Sequence, residues 1–297
     1  MSAFVRAGDF EVPGDSIVSL TLRSDLTPIP LTVEANFIRD ERLAAELVEG
    51  GVITVGRGVE YRIMKSVPSF AAIGEQQGRS TAAIQIVAYL NRAHEISYRR
   101  RTAVVKENAT LGGIYAACGA QVPIAQDFRV PRFACYVGET PSYQIAALLQ
   151  EEGGAIFWRE GSIRFARLRD LQAGEPVSRI AASATTLIDS QFLERHQVPW
   201  FYSVRPDGAL IFGNRSRERA VMYSPRKDEM TLRSMTRCLI TRRTATGLFR
   251  PDINAGDVFE VDGRPQVVVT AAHHVASAAD GSATRTFSKF WLGEVDE

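Results

Sequence analysis

Residues 17–35 alternate apolar and polar positions. Val18, Leu20 and Leu22 share one face, Leu31, Val33 and Ala35 share one face after a turn, and Ser19, Thr21, Thr32 and Glu34 lie opposite. A half-buried antiparallel pair has this period of two. Pro28 and Pro30 lack amide donors and belong in the connection. A short helix is predicted over "DERLAAELVEGG", ending at Gly50-Gly51. A second hairpin follows over 51–67, where Val52, Ile53 and Val55 precede a Gly-Arg-Gly turn and Tyr61, Ile63 and Lys65 alternate with Arg62 and Met64. Ile84, Val87 and Ala88 recur at helical spacing behind Ser80, which predicts a capped helix over "TAAIQIVAYLNRA". Residues 95–106 return to strand.

The middle of the chain carries helix signals. Thr110 is predicted to cap "LGGIYAACG", which Gly119 can end, and Thr140 to cap a helix with Pro141 at its first position, striped by Ile145, Leu148 and Leu149 and stopped by Gly153-Gly154. "FRVPRFACYVGET" reads as a strand entering a turn, and "AIFWREGSIRFARLRDL" as a hairpin about Glu160-Gly161. "QAGEP" is a linker. Beyond it the pattern is mostly strand, with hairpins turned at Pro206-Asp207-Gly208 and Asp262-Gly263, because proline fixes one dihedral and glycine accepts positive φ.

The last hairpin echoes the one at 51–67. Each has a short apolar strand (Val52, Ile53, Val55; Val258, Phe259, Val261), a Gly-containing turn and a long strand ending at Val67 or Val275. Internal duplication is the expectation. The predicted fold is mainly β with an α+β middle: a β-barrel-like domain at 1–106, an α+β domain at 107–175 and a second β-barrel-like domain at 176–297. Three such chains could close a six-membered ring, since closure needs only a repeated interface and the right rotation.

At 297 residues, 45% hydrophobic and 23% charged, the chain has the composition of a folded protein with more than one core. Its net charge of +1 gives no global attraction to nucleic acid or acidic lipid. From Arg205 to Arg250, however, eleven Lys or Arg stand against four Asp or Glu. That surplus reads first as a solvated or interface face and second as a surface for a polyanion. Cys118, Cys135 and Cys238 are too few and too far apart for a disulfide framework or a CxxC site. No apolar run approaches the ~18 residues of a membrane span, and the first residues do not read as a signal peptide, so synthesis and folding in the cytoplasm without a membrane anchor are expected.

"SLTLRSDLTPIPLTVEA", "ETPSYQIAALLQEEGGAIFWREGSIRFARLRDL" and "INAGDVFEVDGRPQVVVTAAHHV", taken in this order over roughly residues 17–275, resemble the bacteriophage tail hub family. That family includes baseplate hub proteins, late control protein D and the hub half of VgrG spikes. The resemblance implies a structural protein of the virion tail or baseplate, made in the host cytoplasm. It implies a homotrimer whose two barrel-like domains per chain form a pseudo-hexameric ring, adapting a sixfold tail tube to a threefold spike. The partners it implies are the tail tube or a distal tail protein, the spike, and in the lumen a tape-measure protein and transiting DNA. Arg205, Arg215, Arg217, Arg219, Arg226 and Lys227 would line that lumen or a subunit contact. No lysozyme-like insertion or spike needle accompanies the resemblance.

Catalytic signals are weak. "GEQQGRS" at 74–80 has three residues between its glycines and arginine where a phosphate loop needs lysine, so it reads as a loop. His273-His274 are adjacent on a strand and point to opposite faces, without a Cys or carboxylate at ligand spacing. Cys118 and Cys135 sit in "IYAACG" and "FACYV", surroundings of buried structural thiols. Trp158, Trp200 and Trp291 read as packing residues. No cofactor and no enzyme activity are expected. The other readings are a cell-envelope hydrolase and a nucleic-acid- or polysaccharide-binding module.

Overall fold

A computed structural model describes residues 5–56, 58–76, 79–188, 199–214, 219–276 and 284–296, with side chains described except at 69–76 and 79–81. In the first part, β1 (Val5–Ala7) and β2 (Phe10–Glu11) precede the opening hairpin β3 (Ile17–Asp25) and β4 (Leu31–Ile38). Leu31, Val33, Ala35 and Phe37 of β4 are all buried and the residues between them are not, as their alternation predicts. α1 (Glu41–Glu46) is capped by the Asp40 carboxylate, which accepts from the Leu43 amide at 2.8 Å. The second hairpin, β5 (Val52–Val55) and β6 (Val59–Gln76), leads into β7 (Arg79–Leu90).

β7 corrects the helix expected after Ser80. Ile84, Ile86, Ala88 and Leu90 are buried at every second position, so the period is two and the helical spacing of Ile84, Val87 and Ala88 is coincidental. Three β-branched residues in five positions also favour the pleated chain. The segment 74–80, expected to be a loop, therefore holds the end of β6 and the start of β7, and residues 77 and 78 lie outside the described ones. Residues 95–106 differ as well: a 3₁₀ turn spans His94–Ser97, and strand resumes only at Val104.

The middle comprises β8 (Val104–Thr110), α2 (Leu111–Ala117), β9 (Ile124–Ala125), β10 (Arg129–Cys135), α3 (Pro141–Glu151), β11 (Gly154–Arg159), β12 (Ser162–Arg167) and α4 (Leu168–Gln172). Thr110 caps α2 as predicted, its hydroxyl accepting from Gly113 N at 3.1 Å. β11 and β12 turn at Glu160 and Gly161, with φ of 50° and 79°, which a two-residue hairpin of the primed type requires. One apolar core runs without a break from Val5 to Ile163 and unites this region with the first. Tyr115, fully buried on α2, donates its hydroxyl to Pro28 O at 2.9 Å and so anchors the β3–β4 turn. Burying its ring holds the phenol well above its ordinary pKa.

The remainder holds β13 (Pro176–Ile180), β14 (Thr185–Leu187), β15 (Trp200–Val204), β16 (Leu210–Phe212), β17 (Val221–Tyr223), α5 (Glu229–Thr236), β18 (Cys238–Gly247), β19 (Val258–Val261), β20 (Arg264–Ala276) and β21 (Arg285–Asp296). β15, β16 and β17 form a small sheet of their own, against which α5 packs through Leu232 and Met235. The other strands belong to a thirteen-stranded sheet ordered β14-β18-β21-β20-β3-β4-β7-β6-β5-β1-β2, with β19 beside β20 and β13 beside β19. The fold is mainly β, as the sequence predicts. The expected pair of barrel-like domains takes a different form: strands from both ends of the chain share one open sheet, with no closed barrel among the described residues. The cause is length. β19 covers only the first four residues of β20, and the rest of that edge pairs with β3.

The order of strands within the two ends is the same. The first end runs β3-β4-β7-β6-β5 and the second β14-β18-β21-β20-β19, all antiparallel neighbours. The match extends to a defect in the ladder. β6 carries one extra residue, Met64, between its pairs Ile63↔Ala88 and Lys65↔Val87; β20 carries one, Val269, between Val268↔Leu292 and Thr270↔Trp291. Counting from either hairpin turn, Met64 and Val269 occupy the same place. A bulge bends and twists its strand and is a designed feature rather than noise.

Candidate assembly interface

The seam between the two ends is a strand pair inside one chain. Thr270 to Ala276 of β20 lie opposite Asp25 to Ser19 of β3 in unbroken register. Side chains reinforce it. The Thr270 hydroxyl donates to Asp25 Oδ1 at 2.6 Å, Arg23 Nε meets the other oxygen of Asp25 at 2.7 Å, and the Ala255 amide donates to the buried Ser24 hydroxyl at 2.9 Å. Thr21 Oγ1 and His274 Nδ1 are 3.0 Å apart across the seam.

His273 and His274 point to opposite faces, as adjacent strand residues must. His273 Nε2 donates to Ile253 O at 3.0 Å, which leaves Nδ1 to accept from the Ser288 hydroxyl at 2.8 Å. Burial lowers the pKa of both histidines, so both favour the neutral form. Among the described residues no group of three or more His, Cys, Asp or Glu is placed to hold a metal ion. Cys118 and Cys135 are buried, and burial pushes the Cys118 thiol up to about 11, with Cys135 adding to the effect and Arg100 opposing it. A thiol so held is not a nucleophile near neutral pH.

The basic stretch is divided among several surroundings. Arg219 turns inward: its side chain is only 5% exposed, ion-paired to Asp296, and bonded to Thr236 O at 3.1 Å. Lys227 reaches α3, where its Nζ lies 2.6 Å from Glu151. Arg205 begins the β15–β16 turn and is exposed, and Arg226 is exposed in a left-handed conformation with φ of 58°. Arg215 and Arg217 lie outside the described residues. Arg233, Arg243 and Arg250 are spent on Glu229, the Thr185 hydroxyl and Asp252. Two of the charges are thus met by carboxylates distant in sequence, Asp296 and Glu151, and a third by Asp252 just beyond the stretch, so charge counting within the stretch overstates its surplus.

Reading the sequence missed the seam itself, and Asp25, Ser24 and Thr270 with it. One signal was present: "VVVTAAHHV" is far longer than "VFEV", so half of its edge needed another partner. It also missed an apolar group on the small sheet, where Leu210, Val221, Met222 and Tyr223 are each at least half exposed, with Met230 nearby in sequence on α5.

No protein-family profile matches the chain, and no curated protein matches it. Solved structures do. A tail protein from Neisseria meningitidis MC58 is similar with a TM-score of 0.63 at 12% identity, covering 99% of this chain and 96% of that one. The 43 kDa tail protein of prophage MuSo2 from Shewanella oneidensis is similar with a TM-score of 0.64 at 12% identity, covering 98% and 97%. An E. coli type VI secretion component, described as structurally similar to T4 bacteriophage tail proteins, aligns with a TM-score of 0.55 at 11% identity, over 95% of this chain and 74% of that one. The chain therefore has the fold of bacteriophage tail proteins over nearly its whole length. No helix among the described residues is long and apolar enough to cross a membrane.

Proposed function

We propose that this protein is a structural component of a phage tail or tail-like particle: a baseplate hub that assembles as a homotrimer into a pseudo-hexameric ring. Its mechanism is symmetry matching. Two related strand modules per chain, at 17–90 and 185–296, give three chains six similar units, which can face a sixfold tube on one side and a threefold spike on the other. One observation carries the reading, the repetition of strand order and bulge position in both modules. Similarity to tail proteins over nearly full length supports it. Exposed Arg205 and Arg226 are the basic residues best situated for a lumen or a subunit contact, and the exposed apolar group of the small sheet suits a further tail component.

Mass measurement in solution with negative-stain imaging tests this. A species of three copies and a ring of sixfold appearance is expected, and a chain that remains a 32.7 kDa monomer at every concentration, with and without tail-tube protein, overturns it. Arg205→Glu with Arg226→Glu should lower particle assembly or DNA delivery. If both are unchanged, these residues serve neither lumen nor contact.

A further inference from the structure

The two modules differ in which edges are covered. In the module at 185–296, β20 has β19 along the first part of its outer edge and β3 along the rest. In the module at 17–90, β6 has β5 along the first part, through Arg62, and among the described residues no strand beyond it. Conversely β3, the outermost strand of one module, is covered by β20, whereas its counterpart β14 pairs, among the described residues, only with β18. The described residues thus show one filled pair of edges and one empty pair, and the empty pair has the same partners by position.

The register of the empty pair follows from ladders already described. Leu20, Thr21 and Leu22 lie opposite Ala35, Glu34 and Val33, and Thr185, Thr186 and Leu187 lie opposite Ala245, Thr244 and Arg243. Val33 and Arg243 in turn oppose Ala88 and Leu292, the residues beside the two bulges. Leu22 and Leu187 therefore correspond, as do His273 and Pro68. Since His273 faces Leu22 in the seam, Pro68 faces Leu187 in the empty pair.

Resting on the hub reading, we infer that the outer edge of β6 receives β14 of a second copy of this chain as an antiparallel strand, with Pro68 opposite Leu187 and Val67 opposite Ile188. The backbone agrees with this register. The Ile63 amide and carbonyl both bond to the Gly50-Gly51 side, and counting on past the bulge turns those of Pro68 to the same outer edge. The Ile188 amide donates to Arg242 O at 2.9 Å, so the polar groups of Leu187 point the other way, outward. The Leu187 amide then donates to the Pro68 carbonyl, and Val67 and Ile188 form the close, non-bonded kind of pair. Proline on this edge gives no amide in return and so narrows the registers in which a partner fits. Burial agrees too. Leu22 is partly buried and packs against the core, whereas Leu187 is 60% exposed and Ile188 is 42% exposed, apolar side chains on an edge with no strand beside them among the described residues. This contact is head-to-tail, the kind that closes into rings.

A cysteine pair reads the register directly. Full-length chain carrying Val67→Cys and Ile188→Cys is oxidised mildly and run on non-reducing gels, beside each single variant, the unmodified chain and a Lys65→Cys/Ile188→Cys pair two residues out of register. Non-bonded antiparallel pairs have the Cα separation a disulfide accepts. The in-register pair should give linked species of two and three chains, at least tenfold more than the off-register pair, which would support the inference. Oligomers in solution without that preference would overturn the strand pairing and leave the hub reading standing. A monomer without any link between chains, both alone and with tail-tube protein present, would overturn both.

Discussion

The module at 17–90 and the module at 185–296 have one strand order and are packed in different company. The first shares its core with the α+β middle, so its inner face is buried against α2 and α3 as well as its own strands. The second has a core of its own built from Phe259, Val261, Val268, Ala271, Phe290 and Leu292. It also carries the small sheet and α5 between β14 and β18, where the first has only a five-residue turn held by Tyr115. Topology is therefore fixed by the order in which edges are covered, and the identity of the covering residues is free to change. Ala88 against Leu292 and Ile86 against Phe290 show the freedom, since positions that match in the ladder differ in volume and are all buried.

The largest predicted effect sharpens this contrast. Leu292→Ala should cost about 2–5 kcal/mol by leaving a cavity in the smaller core, while Ala88→Gly at the matching place should cost about 1 kcal/mol; denaturant midpoints measure both. If Leu292→Ala splits the transition in two, the modules unfold separately; a single shifted transition shows that the seam couples them. Next, Gly293→Ala should cost about 1–3 kcal/mol, because a Cβ there would lie 2.8 Å from the side chain of bulge residue Val269. Tyr89 holds the equivalent position in the other module and bears a large side chain, so Tyr89→Ala should be milder in the same assay. Thr270→Val should cost about 1 kcal/mol by removing the bond to Asp25, and hydrogen exchange of Ser19–Asp25 should quicken while that of β5 does not.

The smallest effect is on pH. His273 has a lowered pKa, so the unfolded chain binds its proton first; stability is full above the ordinary histidine value of about 6.5 and declines as pH falls below it. His273→Gln should flatten that decline in thermal melts between about pH 7 and 5. An unchanged slope would assign it to other groups.

Hairpins and the Thr110 cap were legible in the sequence because their causes are local, whereas Thr140 precedes its helix without a side-chain cap bond. Asp262-Gly263 and Glu160-Gly161 adopt the positive φ their letters announce, and Thr110 caps the turn it precedes. β7 was misread because Ile84, Val87 and Ala88 satisfy two periods at once and only neighbours from β4 and β6 decide between them. The candidate site was half legible. A repeated hairpin was visible, but the seam pairs residues 253 apart, and Arg219 appeared as surface charge because its partner, Asp296, is 77 residues away.

That separation has a kinetic consequence. Loop closure over some 250 residues makes the β3–β20 junction a late event in folding. Until it forms, β3 presents the same kind of edge as β14, and a neighbouring molecule's β20 fits it as well as the chain's own. High protein concentration during refolding should therefore favour exchanged-strand species, whose chains trade halves while keeping every native pairing.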